Sequence, residues 1–332
     1  MKPRTPLFNR YISAPRRPWL RAGISGLLIL SALAVACLAG VTDSIGPPAA
    51  WRTMLIGPAV IAYIVLVAPI LARTDDRVVC ALRPLISLED AEFARLTDKA
   101  TYSQARYEVA IGCAGLGFGG AVTALSGAGF AGVWGGLYWG LTTSAMYALL
   151  AWTIYAAITG ARMISALHRQ PMSVNTLDTS PFEAVGRQSL LLALTFIGGI
   201  TLSLIVGGVQ QENLSDFGFW LSYAPIIAAP VLVFYLNMLA THRVLATAKK
   251  RSLAATRCQL EHAGQDLVQR LAEHQDTGSL AATVATLIAY EHRLTDARTW
   301  PYNTAMLRTL FFSLLLPIGT ALLQMVWRRL FP

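Results

Sequence analysis

The sequence predicts an all-α polytopic bundle of about seven membrane-crossing helices, with a cytoplasmic helical hairpin between the last two. Three observations predict it. Of the 332 residues, 55% are hydrophobic and only 14% are charged; a soluble domain carries about 25% charged residues, so lipid is the solvent for much of this surface. The mean hydropathy is +0.50. Seven runs, 20-41, 53-72, 109-128, 132-159, 188-209, 218-240 and 305-327, are close to the ~20 apolar residues that a bilayer-crossing helix needs.

The flanks orient the runs. The leader 1-19 carries Lys2, Arg4, Arg10, Arg16 and Arg17, with Arg21 just beyond, which predicts a cytoplasmic N-terminus. The first run is span-length and its basic leader is long, so it reads as an uncleaved span and not a signal peptide. The membrane domain is expected over 20-240, with inner-face linkers at 73-107 and 160-187. The first holds Arg73, Arg77, Arg83, Arg95, Lys99 and Arg106, and the second Arg162, Arg169 and Arg187. Loops 42-52 and 210-217 carry acids and, apart from Arg52 at the edge of the next run, no base, so they face outside. Segment 299-332 supplies the last membrane element, which Pro317 interrupts and Arg328 and Arg329 follow. A true span, a re-entrant element and an interfacial helix all fit it, and its length favours the span.

Within the inner segments, Ser87 is the expected N-cap of an amphipathic helix over 88-105. Ser180-Pro181-Phe182-Glu183 has the form of a capping box with Pro at the first helical position. Residues 241-298 read as the cytoplasmic hairpin. Leu253, Leu260, Leu267 and Leu271 recur at helical spacing, as do Leu280, Val284, Leu287 and Leu294, with a turn at Thr277-Gly278-Ser279 between them. The piece is too small to hold an enzyme core by itself.

The charge of +9 comes from 27 Lys and Arg against 18 Asp and Glu. The basic residues sit at helix ends and inner loops, where they orient the chain and meet anionic lipid. No basic stripe interleaved with aromatics suggests nucleic acid. The four cysteines form no CxxC, and no pair falls in an exterior loop, so neither a disulfide nor a zinc site is expected. His262 and Asp266, one turn apart in the hairpin, read as a solvated face in preference to a metal site. No metal and no cofactor is expected.

From Ile111 to Gly160 there is no Asp, Glu, Lys, Arg or His. Proton-coupled carriers, pumps and voltage sensors need ionisable groups in the membrane, so this gap weighs against them. Nor does any set of nucleophile, base and orienting group assemble, so no enzyme is expected. Glycines fill the gap instead. Gly112, Gly115 and Gly119 share a side of the third run; Gly132, Gly136 and Gly140 fall at i, i+4 and i+8 around the fourth; Gly199, Ser203 and Gly207 do so in the fifth. Such spacing serves close helix packing or a pore or subunit seam. Thr123 and Ser126 in the third run, Thr143 and Tyr147 in the fourth and Asn237 in the sixth add polar groups. They serve either backbone capping or a wet path. The Gly/Ala run from Gly112 to Gly136 is similar in texture to the pore helix of small-conductance mechanosensitive channels, and nothing else in the chain matches that family.

Two stretches, Val174 to Phe182 and Thr299-Trp300-Pro301-Tyr302-Asn303, occur in an order that resembles a group of bacterial and archaeal multi-pass membrane proteins with a Trp-Pro-aromatic-Asp step before the final span. Here Asn303 takes the place of the Asp. The resemblance covers the chain from about residue 165 onward; it implies architecture and a prokaryotic inner membrane, and brings no activity with it. Trp300 and Pro301 end the hairpin and couple it to the last span, because Pro disfavours helix at the residue before it.

The expected function is a homo-oligomeric channel-like protein passing ions or small solutes along a path lined by small, hydroxyl and apolar residues. A facilitative transporter of a small neutral solute is one alternative. A non-transporting scaffold or regulator acting through the hairpin is the other. The expected partners are the lipid bilayer and further copies of the chain.

Overall fold

The computed structural model describes residues 23–28, 30, 31, 34, 49–101, 105–125, 133–170, 172, 176–207, 217–297, 299, 300 and 304–330. The chain is all-helical there. The helices are α1 (Ala49–Leu82), α2 (Asp90–Thr101), α3 (Ala105–Leu125), α4 (Val133–His168), α5 (Ser180–Gly207), α6 (Phe217–Ala272), α7 (Gly278–Asp296) and α8 (Thr304–Leu330). No strand occurs among the described residues; one isolated antiparallel bridge joins Ile86 to Met172.

Five helices are long and apolar enough to cross a membrane, with apolar windows inside Arg52–Leu85, Arg106–Leu125, Gly135–His168, Ser180–Gly207 and Thr304–Gln324. The expected first span falls mostly outside the described residues. The expected sixth, 218-240, begins α6 and does not end at 240: it continues without a break into the first arm of the hairpin, as one helix of 56 residues. Composition changes there from apolar to charged, but no Gly or Pro interrupts the backbone ladder. Pro317 likewise lies inside the continuous α8 and is buried. A proline deletes one backbone bond without ending a helix when neighbours re-satisfy the freed group.

α5 is the central helix, with α1, α6 and α8 packed on it; α4 packs on α1, α2 and α3. The outward faces stay apolar. In α8, Phe311, Phe312, Leu316, Ile318, Leu322 and Leu323 are all exposed, a contiguous apolar surface that water penalises and lipid does not. The main core gathers at one end of the bundle. There Val78 and Leu82 of α1, Met163 and Leu167 of α4, Phe182 and Val185 of α5 and Met238 and Leu245 of α6 are buried together.

Three local expectations need correction. Helix α2 starts at Asp90, so Ser87 does not cap it; Glu89 provides the first turn's carbonyl, accepting from the Phe93 N–H at 2.9 Å. The elbow before α2 is organised by Arg83, which donates to the carbonyls of Ile86 at 3.1 Å and Leu88 at 3.0 Å and pairs with Asp90. At the start of α5 the cap is Asp178, which accepts from the Ser180 N–H at 3.0 Å and hydroxyl at 2.6 Å; Glu183 pairs with Arg187 instead. The turn between α6 and α7 spans 273–277, and Gly278 and Ser279 belong to α7. His274 takes the left-handed conformation there, φ 55°.

Candidate functional site

Gly112, Gly115 and Gly119 of the third run are buried in a helix seam. A Cβ on Gly115 would meet the Ala148 Cα at 2.7 Å, and one on Gly119 the Ser144 Cα at 2.6 Å. A Cβ on Gly112 would meet the Trp152 ring at 3.2 Å. α3 therefore lies against α4 of the same chain along this face, and Trp152 Nε1 ties the seam by donating to the Glu108 carbonyl at 2.6 Å. A Cβ on Gly140 would meet the Thr123 methyl at 3.3 Å, and the Thr123 hydroxyl donates to the Gly119 carbonyl at 2.8 Å. Gly136 meets nothing within 4 Å. A Cβ on Gly207 would meet the Ile56 side chain at 2.6 Å. Ser126, Gly132 and Pro301, and the side chain of Asn237, lie outside what is described.

Thr143 and Tyr147 are brought together with residues that the sequence pattern did not single out. They line a cavity of about 200 Å³ between α1, α3, α4 and α5. α1 contributes Val60, Tyr63 and Ile64, α3 contributes Val122, and α4 adds Trp139, Met146 and Thr153. α5 turns Thr195, Phe196, Gly199, Ile200 and Ser203 toward it, at the i, i+4, i+8 spacing of one helix face. Gly199 and Ser203, expected in a packing stripe, are thus cavity wall. The cavity is larger than the ~150 Å³ engineered apolar void that takes benzene.

Four of its polar groups have their protons committed to backbone carbonyls. The hydroxyls of Thr195, Thr153 and Ser203 donate to Leu191, Leu149 and Ile200 carbonyls at 2.9, 2.8 and 2.8 Å. Tyr63 donates to the Thr195 carbonyl at 3.0 Å, and its ring closes on Gly198 and Gly199. With these protons committed, these four hydroxyls offer only acceptor lone pairs to an occupant, while Thr143, Tyr147 and Trp139 add further polar groups to the lining. No charged side chain lines the space among the described residues. Tyr147 is braced by an edge-to-face contact with Phe118, ring centroids 5.1 Å apart. Tyr63, Trp139 and Phe196 read in sequence as ordinary apolar-run residues; the available signal was that Tyr63 is the only hydroxyl-bearing aromatic in 53-72.

Thr153 also lines a second space of about 40 Å³, walled by α1, α4 and α5 and holding Asp75 and Gln188. Asp75 was expected in an inner linker. Because α1 runs on to Leu82, Asp75 sits one turn past the apolar run, where Gln188 Nε2 donates to its Oδ1.

The coupling residue Trp300 is half-buried and packs on the main core. Its ring stacks on His242 with centroids 3.9 Å apart and planes 13° from parallel. His242 Nδ1 lies 3.1 Å from the Thr299 carbonyl, and Lys249 donates to the carbonyls of Thr295 at 2.6 Å and Ala297 at 2.8 Å. α6 thereby holds the end of α7 and the connector that leads to α8.

No family model matches the chain, and no curated protein or solved structure is significantly similar to it.

Proposed function

We propose that this chain passes a small uncharged solute across a membrane through the cavity between α1, α3, α4 and α5 of each subunit. The observation that carries the reading is that cavity: about 200 Å³, aromatic and aliphatic, with oriented acceptors and no charge among the described residues. Such a wall excludes bare ions, which lose hydration without compensation. It suits a solute that is mostly apolar with one or two donors. An oligomeric channel keeps less support, because the glycine face it needs as a pore seam is filled by α4. Basic flanks support a cytoplasmic N-terminus and inner hairpin; the resemblance of the C-terminal half supports a prokaryotic inner membrane. Exposed Val268, Leu271 and Ile288 on α6 and α7 support self-association through that hairpin.

Benzyl alcohol, which pairs one donor with an aromatic body, is the probe. In proteoliposomes its binding should quench tryptophan fluorescence, and Trp139→Phe should remove most of the change. Gly199→Phe should abolish binding, since a side chain there starts 3.6 Å from Tyr63 and points into the void. Benzyl alcohol quenching unaffected by either substitution would sink the solute reading. Single-channel K⁺ currents from the same vesicles would favour the channel.

A further inference from the structure

We propose that Asp75, Gln188 and Thr153 form a binding site for one small monovalent cation, Na⁺ or hydronium, at the end of the larger cavity. The site begins with a carboxylate on the side of α1 that packs against α4 and α5. Asp75 is half-buried, and the one hydrogen bond seen to its side chain comes from Gln188. A carboxylate offers about four lone-pair positions, so most of its accepting capacity is open. None of the ion pairs among the described residues includes Asp75. Gln188 is only 7% exposed, and its Oε1 has no partner in the chain. The Thr153 hydroxyl, whose proton goes to Leu149, turns lone pairs outward.

Apart from the Gln188 amide N–H that meets Asp75, these groups present oxygen acceptors and no positive charge. Burying them together costs free energy unless a cation or a donor joins them. The space beside them, about 40 Å³, exceeds the ~10–15 Å³ that one water requires and is too tight for an organic cation. Small side chains keep it open: Ala68 and Ala72 on α1, and Ala156, Ala157 and Gly160 on α4. A single carboxylate with amide and hydroxyl oxygens suits a hard ion of one charge; Ca²⁺ asks for 6–8 oxygens and usually more than one carboxylate.

The surrounding charges do not supply the cation. On α1, Asp76 adds a second negative charge, and Arg73 and Arg77 are exposed. From α4 the walls carry no titratable group, and Arg162 is exposed. From α5, Arg187 is exposed and paired with Glu183. His168, at the end of α4, lies near the Phe182 ring instead, 6.1 Å between centroids.

The proposal stands apart from the solute reading, and its test needs no solute. Dicyclohexylcarbodiimide, an apolar reagent, adds to protonated carboxyl groups in apolar surroundings. The adduct is located by peptide mass spectrometry on the full-length protein in detergent. Asp75 should react faster than its exposed neighbour Asp76. If Na⁺ is the occupant, NaCl but not choline chloride should slow that reaction roughly tenfold at about ten times its dissociation constant. If hydronium is the occupant, NaCl has no effect, and the rate climbs roughly tenfold per pH unit on acidification until the site is filled. Asp75→Asn should lose the adduct, and Gln188→Ala should shift either profile to higher cation concentration. Absence of an Asp75 adduct at every pH, or a rate that is unaffected by NaCl and equal to that of Asp76 at every pH, overturns the proposal. The wild-type measurement decides it even if a variant fails to fold.

Discussion

Gly115 and Gly119 set how closely α3 and α4 approach, because the atoms that an added Cβ would meet are backbone. Backbone cannot step aside as a flexible side chain can. Gly119→Val should therefore destabilise the protein by about 1–3 kcal/mol, read as a lower thermal midpoint in detergent. Gly117→Ala, two residues away with nothing within 4 Å, should be neutral or slightly stabilising. The left-handed His274 offers the opposite case: His274→Gly should stabilise the turn by about 1 kcal/mol. Asp178 adds a pH effect. The Ser180 hydroxyl and N–H hold its carboxyl below the usual carboxylate range. A lowered acid contributes stability above its ordinary pKa and loses it as the pH falls through the lowered value. The first turn of α5 should thus keep its amide protection at neutral pH and fray in acid, and Asp178→Ala should remove that pH dependence in hydrogen exchange.

Among elements, the apolar runs behind α3, α4, α5 and α8 were legible because a span-length run without charge has few alternative fates. Least legible was what depends on a partner distant in sequence. Asp75 read as a linker residue because Gln188, its partner, is 113 positions away. Ser87 and Ser180 fit the cap pattern, but Arg83 and Asp178, only two to five residues from their partners, take over those elbows, because several nearby polar side chains compete for the same backbone groups. The latch from α6 onto the end of α7 is a further case. His242 and Lys249 follow the apolar run 218-240, and the structure puts them on Trp300 and on the carbonyls of Thr295 and Ala297. Lys249→Met should remove both bonds and, with water able to reach the carbonyls, cost about 1 kcal/mol of local stability. Limited proteolysis should then cut near residues 297–303 faster than in wild type, with the rest of the chain unaffected.

In the whole molecule, the uncharged interior was legible and its shape was not. A gap in charge is a property of composition, whereas a cavity needs four helices in register, and no sequence period announces that Thr143, Tyr63 and Gly199 share a wall. The two spaces meet at Thr153, so occupancy of one should be felt in the other. Thr153→Val keeps the volume and deletes the shared oxygen. It should leave benzyl alcohol affinity within a few fold while weakening Na⁺ protection, or proton uptake, at Asp75.

The length of α6 has one more consequence. At 1.5 Å per residue its 56 residues extend roughly 84 Å, and each residue turns the helix by about 100°. One end of such a rod cannot rotate without the other. A single alanine inserted after Arg251 would swing Arg257 a quarter-turn and more away from Glu291, its partner at 2.6 Å. An insertion of seven would restore the facing and lengthen the shaft by about 10 Å. The hairpin and the bilayer-facing bundle are thus geared to one another by angular phase.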